Sequence, residues 1–149
     1  MDKEARALRS AIQTFVRRFG LLDQTQTPCG VRLPLSHAHA LMELLRTPDL
    51  TQQDLAEKLG LSKSNISRLV DRLVATGRVS RQRDAEDGRA CRLALTEKGM
   101  RIAGQLDERS IGHHRALLAN IPSRERAKVL QSLTLLAACC GGQERKGDG

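Results

Sequence analysis

The chain has 149 residues, enough for one domain with a buried core, and 40% of them are hydrophobic, which excludes a disordered protein. Its formal net charge of +8 favours a polyanionic partner such as nucleic acid. Two Phe, with no Trp or Tyr, argue against recognition of single strands, because that mode relies on aromatic side chains that stack on bases.

The sequence contains no predicted membrane segment. No apolar run approaches the roughly 20 residues that a membrane-spanning helix needs, and the first residues, MDKEARALRS, lack the apolar centre of a signal peptide. The cysteines form no CxxC pair and no disulfide spacing; they are Cys29, Cys91, Cys139 and Cys140. We therefore expect a cytoplasmic protein in a reducing environment, without a membrane partner.

The first third of the chain predicts two helices and a loop. Apolar residues recur at helical spacing from Asp2 to about Asp23, and they predict the first helix. Prolines and a glycine interrupt the pattern over residues 24–36, which predicts a loop. Ser36 is predicted to cap a second helix that runs through Arg46.

Two short helices joined by a tight turn follow. Thr51 and Asp54 resemble a capping box and open a third helix, which stops at Gly60. Glycine at that position can adopt the left-handed conformation that turns one helix into the next. Ser62 is predicted to cap a fourth helix that runs to Gly77. This order predicts a helix-turn-helix.

A hairpin and two long helices complete the predicted elements. Alternation with a period of two over residues 90–95 predicts a half-buried strand, and residues 84–88 supply the turn. Thr96 is predicted to cap a fifth helix that ends near Ala119, and Ser123 to cap a sixth. The predicted fold is mainly α, with six helices and a small β-hairpin wing, which is a winged helix-turn-helix with additional helices.

The fourth helix carries a polar face opposite its apolar stripe. Its predicted DNA contacts are Lys63, Ser64, Asn65, Ser67, Arg68 and Arg72. We expect Arg68 to contact a base, since a bidentate arginine reads guanine well, and Lys63 and Arg72 to bind phosphate. The alternative is the solvated face of an ordinary amphipathic helix. The cap, the turn and the hairpin that follows favour DNA.

The hairpin contains five arginines, which are Arg78, Arg81, Arg83, Arg89 and Arg92. Asp87, Gly88 and Arg89 lie where the loop turns, so that glycine permits the turn and Arg89 can enter a minor groove, whose negative potential attracts guanidinium groups. Arg83 and Arg89 therefore complete the predicted DNA contacts. A solvated charged edge is the alternative for this hairpin.

These motifs resemble the DNA-binding core of MarR-family transcriptional regulators. The resemblance rests on LTQQDLAEKLGLSKSNISRLVDRLVATGRV, on Asp87-Gly88-Arg89 and on the LTEKG that ends at Gly99. It implies an obligate homodimer in which the first helix and the last two helices form a dimerisation region. It also implies repression of nearby genes that a ligand, a metal or oxidation relieves.

The apolar stripes of the first and last helices support a dimer independently, because one winged helix cannot cover them. A two-fold dimer would place two recognition helices about one DNA turn, roughly 34 Å, apart on a palindromic operator. We thus predict a helical dimerisation region at 1–34 and 97–140, a winged helix-turn-helix at 35–96 and a disordered tail at 141–149.

Zinc is one candidate signal. The candidate ligands are Cys29, His39, His113 and His114, a mixed set that suits zinc. His39 resembles the histidine at the matching place in the family's zinc-sensing branch, but Ala38 replaces the carboxylate expected before it. The two later histidines lie about a turn beyond that branch's cluster, and neighbours on a helix point in different directions. Surface histidines are the alternative.

Oxidation and a small organic effector are the other two candidates. Cys29 lies in a loop near Arg32, a cation that would favour its thiolate, although the family's peroxide-sensing branch has its cysteine nearer the N-terminus. Cys91 is predicted to be a core thiol, and Cys139 and Cys140 to end the last helix or to link protomers. An aromatic acid would find few aromatic partners here.

Catalysis is not expected, because the chain has no G-x-S-x-G, no Gly-rich phosphate loop and no H-E-x-x-H. The alternative from another class is a winged-helix protein-interaction module without sequence-specific DNA binding. Such modules usually lose the basic recognition face and the wing arginines, both of which this chain has.

Overall fold

The computed structural model describes residues 1–86, 88 and 91–140. Six helices and one hairpin are found within them, which confirms the predicted fold class. The helices are α1 (Asp2–Phe19), α2 (Leu35–Arg46), α3 (Gln52–Leu59), α4 (Lys63–Ala75), α5 (Glu97–Ala119) and α6 (Ser123–Cys140), and the strands are β1 (Val79–Arg83) and β2 (Cys91–Leu95). None of these helices is long and apolar enough to cross a membrane.

Four predicted helix ends are wrong, and backbone geometry explains the end of α1 and the start of α2. The other two are the end of α4, at Ala75 rather than Gly77, and the start of α6, which begins at Ser123 rather than after it. Helix α1 ends at Phe19 because Gly20 adopts a left-handed conformation with φ 83°, which turns the chain before the apolar pattern is exhausted. Helix α2 begins at Leu35 rather than after Ser36. Pro34 precedes it with φ −56°, and its carbonyl accepts a hydrogen bond from the Ala38 N–H at 3.0 Å.

The helix-turn-helix forms as its sequence predicts. The Asp54 N–H donates to the Thr51 hydroxyl at 3.1 Å, and the Thr51 N–H donates to the Asp54 carboxylate at 3.0 Å, so both halves of the capping box are present. These hydrogen bonds hold the pKa of Asp54 below its usual value. Gly60 ends α3 with φ 63°, and the Ser62 hydroxyl accepts from the Asn65 N–H at 3.3 Å to cap α4.

The two strands pair antiparallel, with Val79 opposite Leu95 and Arg83 opposite Cys91. The chain before α3 also joins this hairpin, which the sequence did not predict. The Leu93 N–H donates to the Leu50 carbonyl at 2.8 Å, and Thr51 forms an isolated bridge with Arg92. Strand β2 of the wing is therefore hydrogen-bonded to the start of the helix-turn-helix.

Every buried apolar side chain of the described residues lies between Leu33 and Leu106. The largest fully buried ones are Leu41, Leu55, Ile66, Val70, Leu73, Leu93 and Leu106. Helices α1 and α6 bury no residue. The chain divides into two compact units, residues 1–111 and residues 112–149, and the core belongs to the first.

Helix α5 begins in close contact with the turn after α4. The Thr96 N–H donates to the Arg78 carbonyl at 3.1 Å, and the Thr96 hydroxyl accepts from the Gly99 N–H at 3.0 Å, which confirms the predicted cap. A Cβ atom on Gly99 would overlap the carbonyl oxygen of Arg78. Only glycine therefore fits at this position without displacing backbone.

Candidate nucleic-acid interface

Helix α4 has one buried face and one exposed face. Ile66, Leu69, Val70 and Leu73 are buried in the core. Five of the six predicted DNA contacts on this helix are exposed; they are Lys63, Ser64, Asn65, Arg68 and Arg72. Ser67 is half-buried, so its hydroxyl is less available than the others. The exposed set provides hydrogen-bond donors and positive charge along one side of the helix.

Arg68 lies back along the first turns of α4. Its guanidinium donates to the Asn65 side-chain oxygen at 3.2 Å and to the Ser64 carbonyl at 3.4 Å. These contacts hold the arginine beside Asn65, at the end of the helix where free backbone N–H groups favour anions. Arginine and asparagine are also the two side chains best suited to reading guanine and adenine.

Two of the five hairpin arginines serve the protein's own structure. Arg92 donates to the Asp84 carboxylate at 2.7 Å and to the Asp49 carbonyl at 2.8 Å, and Arg81 is paired with Asp71. The hydrogen bond and charge of Asp84 raise the pKa of Arg92 further. Arg92 therefore links strand β2 of the wing to the turn before α3.

The predicted wing contacts differ from these two arginines. Arg83 is exposed at the end of β1, and it forms no ion pair with any other residue that the structure describes. Arg89 and Asp87, which carry the predicted minor-groove contact, lie outside the described residues. The sequence offers no signal that separates Arg92 from Arg83, because Asp84 and Asp49 become neighbours of Arg92 only in the folded chain.

Comparison with known proteins finds a family match for the winged-helix segment. The sequence model of the MarR family matches residues 33–90, from just before α2 to the hairpin. An uncharacterized HTH-type transcriptional regulator, YfiV, of Bacillus subtilis (strain 168) is 34% identical over 97 residues. That alignment covers 65% of this chain and 61% of the relative, so the chain matches less than two thirds of that protein's length.

Solved structures extend the similarity over almost the whole chain. The PcaV transcriptional regulator from Streptomyces coelicolor, in complex with its natural ligand, has a TM-score of 0.64 at 26% identity, covering 91% of this chain and 90% of that one. A MarR transcriptional regulator from Methanosarcina mazei Go1 has a TM-score of 0.71 at 26% identity, with 89% and 95% covered. Residues 33–90 of the chain thus match the MarR family, and the fold of almost the whole chain is similar to that of solved transcriptional regulators.

A third structure shares the winged-helix fold of this protein. Streptococcus pneumoniae FabT, crystallised in complex with DNA, has a TM-score of 0.71 at 18% identity, and the similarity covers 93% of this chain and 96% of that one. At this identity the similarity concerns the fold alone. All three structures agree with the predicted order of helices and wing.

The candidate effector residues do not form a metal centre in the described part of the chain. Within residues 1–86, 88 and 91–140, no group of three or more His, Cys, Asp or Glu side chains is placed to hold a metal ion. His39 is exposed on α2. The rings of His113 and His114 meet edge-on, with centroids 5.6 Å apart.

The structure places the four cysteines in different environments; Cys139 and Cys140 end α6 as predicted, whereas Cys91 differs from its prediction. Cys29 is half-buried, and its sulfur lies 3.1 Å from the hydroxyl of Thr27, which is itself buried. Cys91 was predicted to be a core thiol but is half-buried, since it begins β2 at the outer end of the hairpin. Cys139 and Cys140 are exposed at the end of α6. All four are free thiols.

Sequence reasoning missed one residue beside the recognition face. His37, in the first turn of α2, lines a groove together with Asn65, Arg68 and Arg72 of α4. Partial burial, followed by the charges of Arg72 and Arg78, lowers the pKa of His37. The HAH sequence on α2 gave no reason to separate His37 from His39. The packing of α2 against α4 makes that distinction.

Proposed function

We propose that the protein is a homodimeric DNA-binding transcriptional repressor that an effector releases from a palindromic operator. Helix α4 would lie in the major groove, with Arg68 on a base and Lys63 and Arg72 on phosphates. Arg83 and Arg89 of the wing would contact the minor groove. The observation that carries the proposal is the exposed polar and cationic face of α4, opposite a face that is buried in the core.

Relatives and charge support this proposal. PcaV is a transcriptional regulator with a natural ligand, and FabT was crystallised with DNA. The net charge of +8 favours a polyanion, because neutralising phosphates releases counterions. An effector that binds the free form better than the DNA-bound form would release the operator.

The DNA contact is tested with duplexes selected by the protein from a random-sequence pool. We expect Arg68→Ala to weaken binding of the selected duplex by about tenfold or more and to relax sequence preference at one position of each half-site. Arg101, an exposed arginine of α5, offers the matched control, and Arg101→Ala should bind as the wild type does. Fluorescence anisotropy against competitor DNA measures both variants.

Salt dependence provides a second measurement on the same duplex. Binding should weaken steeply with salt, by about 0.9 in log K per contacted phosphate for each unit of log salt concentration. Unchanged affinity in Arg68→Ala together with a flat salt dependence would contradict the DNA proposal. That result would instead favour a winged-helix module that binds a protein partner.

The dimer proposal rests on apolar surface that a single chain leaves uncovered. On α1, Leu8 is 50% exposed and Phe15 45% exposed; on α6, Leu130 is 57% exposed and Leu133 48% exposed. Apolar residues clustered in this way mark interaction sites. We assign residues 1–34 and 97–140 to dimerisation, residues 35–96 to DNA binding, and a second copy of the chain to the exposed stripes.

Sedimentation equilibrium tests the dimer. Phe15→Asp and Leu133→Asp should each shift the protein towards monomer, because a buried carboxylate in an apolar interface is costly. Leu45, exposed on α2 in the DNA-binding region, provides the control, and Leu45→Asp should leave the dimer intact. A wild-type monomer at micromolar concentration would overturn this part of the proposal.

The class of effector is identified by comparing DNA binding under four conditions. Binding of the selected duplex is measured with a zinc chelator, with added zinc, with peroxide and with reductant. Release by peroxide that Cys29→Ser abolishes would indicate oxidation, whereas zinc dependence that His39→Ala or a His113→Ala/His114→Ala double variant abolishes would indicate a metal. No response to either would favour a small organic effector.

A further inference from the structure

A groove lies beside the recognition face, between the start of α2 and the exposed side of α4. Its volume is about 530 Å³, and its polar lining is Ser36 and His37 from α2 with Asn65, Arg68, Asp71 and Arg72 from α4. The groove is thus continuous with the side chains predicted to meet DNA. It also brings a second helix, α2, to that face.

The charge around this groove is positive and incompletely balanced by the protein. Neither Arg72 nor Arg78 forms an ion pair with another described residue, and the Nε of Arg78 is buried without a hydrogen-bond partner in the described part of the chain. Asp71, the acid on the groove wall, is already paired with Arg81. The charges of Arg72 and Arg78 both act on His37.

An anion in the groove would reduce the repulsion between these positive charges. Cations held close together without a counter-ion repel one another, so a negative ligand among them gains more than it would at an isolated arginine. His37 carries a ring N–H donor in its neutral as well as its protonated form, so it can donate to an anion at neutral pH. Arg72 provides a planar guanidinium suited to phosphate oxygens.

We propose that this groove binds a backbone phosphate of the DNA duplex, held by His37 from α2 and Arg72 from α4. The inference rests on the proposed DNA binding and adds α2 to the surface that performs it. A backbone phosphate fits better than a detached anion, because a helix lying in the major groove is flanked by the sugar-phosphate backbone. The contact would fix the orientation of α4 without reading sequence.

The experiment uses the whole 149-residue chain and the selected duplex at constant salt and pH. His37→Ala should weaken binding by about tenfold, as expected for the loss of a hydrogen bond to a charged group, and should leave sequence preference unchanged. His39→Ala is the matched control, since His39 lies two residues away on the same helix and is exposed outside the groove. It should bind as the wild type does. A zinc chelator is present throughout, because His39 is also a candidate zinc ligand.

The partner atom is identified with neutral methylphosphonate groups placed one at a time along the duplex. At one position in each half-site, the modification should weaken wild-type binding, and His37→Ala should then cause no further loss. Such non-additivity shows that the side chain and that phosphate interact. The scan on the wild type alone keeps the proposal testable even if His37→Ala folds poorly.

The outcomes separate the two proposals. A wild type that binds no duplex would overturn the proposed function. A wild type that binds normally, with His37→Ala and His39→Ala equal to it, would overturn only the phosphate site. The same holds if the effect of His37→Ala adds fully to that of every methylphosphonate position, because the groove would then contact no backbone phosphate.

Discussion

The winged-helix segment and the outer helices of this protein differ in how they bury apolar side chains. Residues 33–106 contain every buried apolar side chain among the described residues, whereas α1 and α6 contain none, although both carry large apolar residues. The winged helix, together with Leu33 and the first half of α5, thus completes a core within one chain. The outer helices have the composition of core elements without the burial, which is why a second copy is proposed to cover them.

The largest expected effect comes from truncating the core. Leu73 is fully buried in α4, and Leu73→Ala should lower the free energy of unfolding by about 3 kcal/mol. Leu133 of α6 is 48% exposed, and Leu133→Ala should cost less than about 1 kcal/mol beyond any loss through dimer dissociation. Urea unfolding at several protein concentrations measures both. If both variants lost the same free energy of unfolding at every protein concentration, the proposed difference in burial between the two regions would be contradicted.

Glycine substitutions in α5 compare the tightly packed start of this helix with a position further along it. Gly99→Ala should destabilise the protein by about 2 kcal/mol, because the new Cβ would overlap the Arg78 carbonyl where α5 leaves the winged helix. Gly104 has no atom near the position of an added Cβ, and Gly104→Ala should raise stability by up to about 1 kcal/mol. Thermal unfolding compares them, and a neutral Gly99→Ala would show that this approach is not tight.

The smallest expected effect concerns helix capping. Thr51→Ala removes half of the capping box of α3 and should cost about 1 kcal/mol. The Thr134 hydroxyl of α6 donates to the Leu130 carbonyl of its own helix at 2.9 Å, and Thr134→Ala should change stability by less than about 0.5 kcal/mol. Chemical denaturation distinguishes the two, and a reversed order would contradict the capping role.

Local signals predicted most of this fold. The capping box at Thr51, the glycine turn at Gly60 and the change of period before β2 depend on neighbouring residues, so they can be read along the chain. The misplaced ends of α1 and α2 also have local causes, in Gly20 and Pro34, that compete with hydrophobic periodicity. The predicted site on α4 follows from the same periodicity.

The remaining features depend on contacts between distant segments. In the sequence, nothing distinguishes Arg92 from the other hairpin arginines, whereas in the fold Asp49 and Asp84 lie beside it. His37 likewise became distinct from His39 only when α2 packed next to α4. Residue types alone do not encode such neighbours, because each pair is set by how the elements pack rather than by spacing in sequence.

The hydrogen bonds between strand β2 and the segment before α3 affect which spacings between operator half-sites the protein could bind. Leu93 is hydrogen-bonded to Leu50, and Arg92 to the Asp49 carbonyl, so β2 and the segment that leads into α3 move together. On the proposed DNA, strand β2 and the helix-turn-helix would therefore keep a fixed position relative to each other. Binding to operators with longer or shorter gaps between the half-sites would then require movement at the proposed dimer interface.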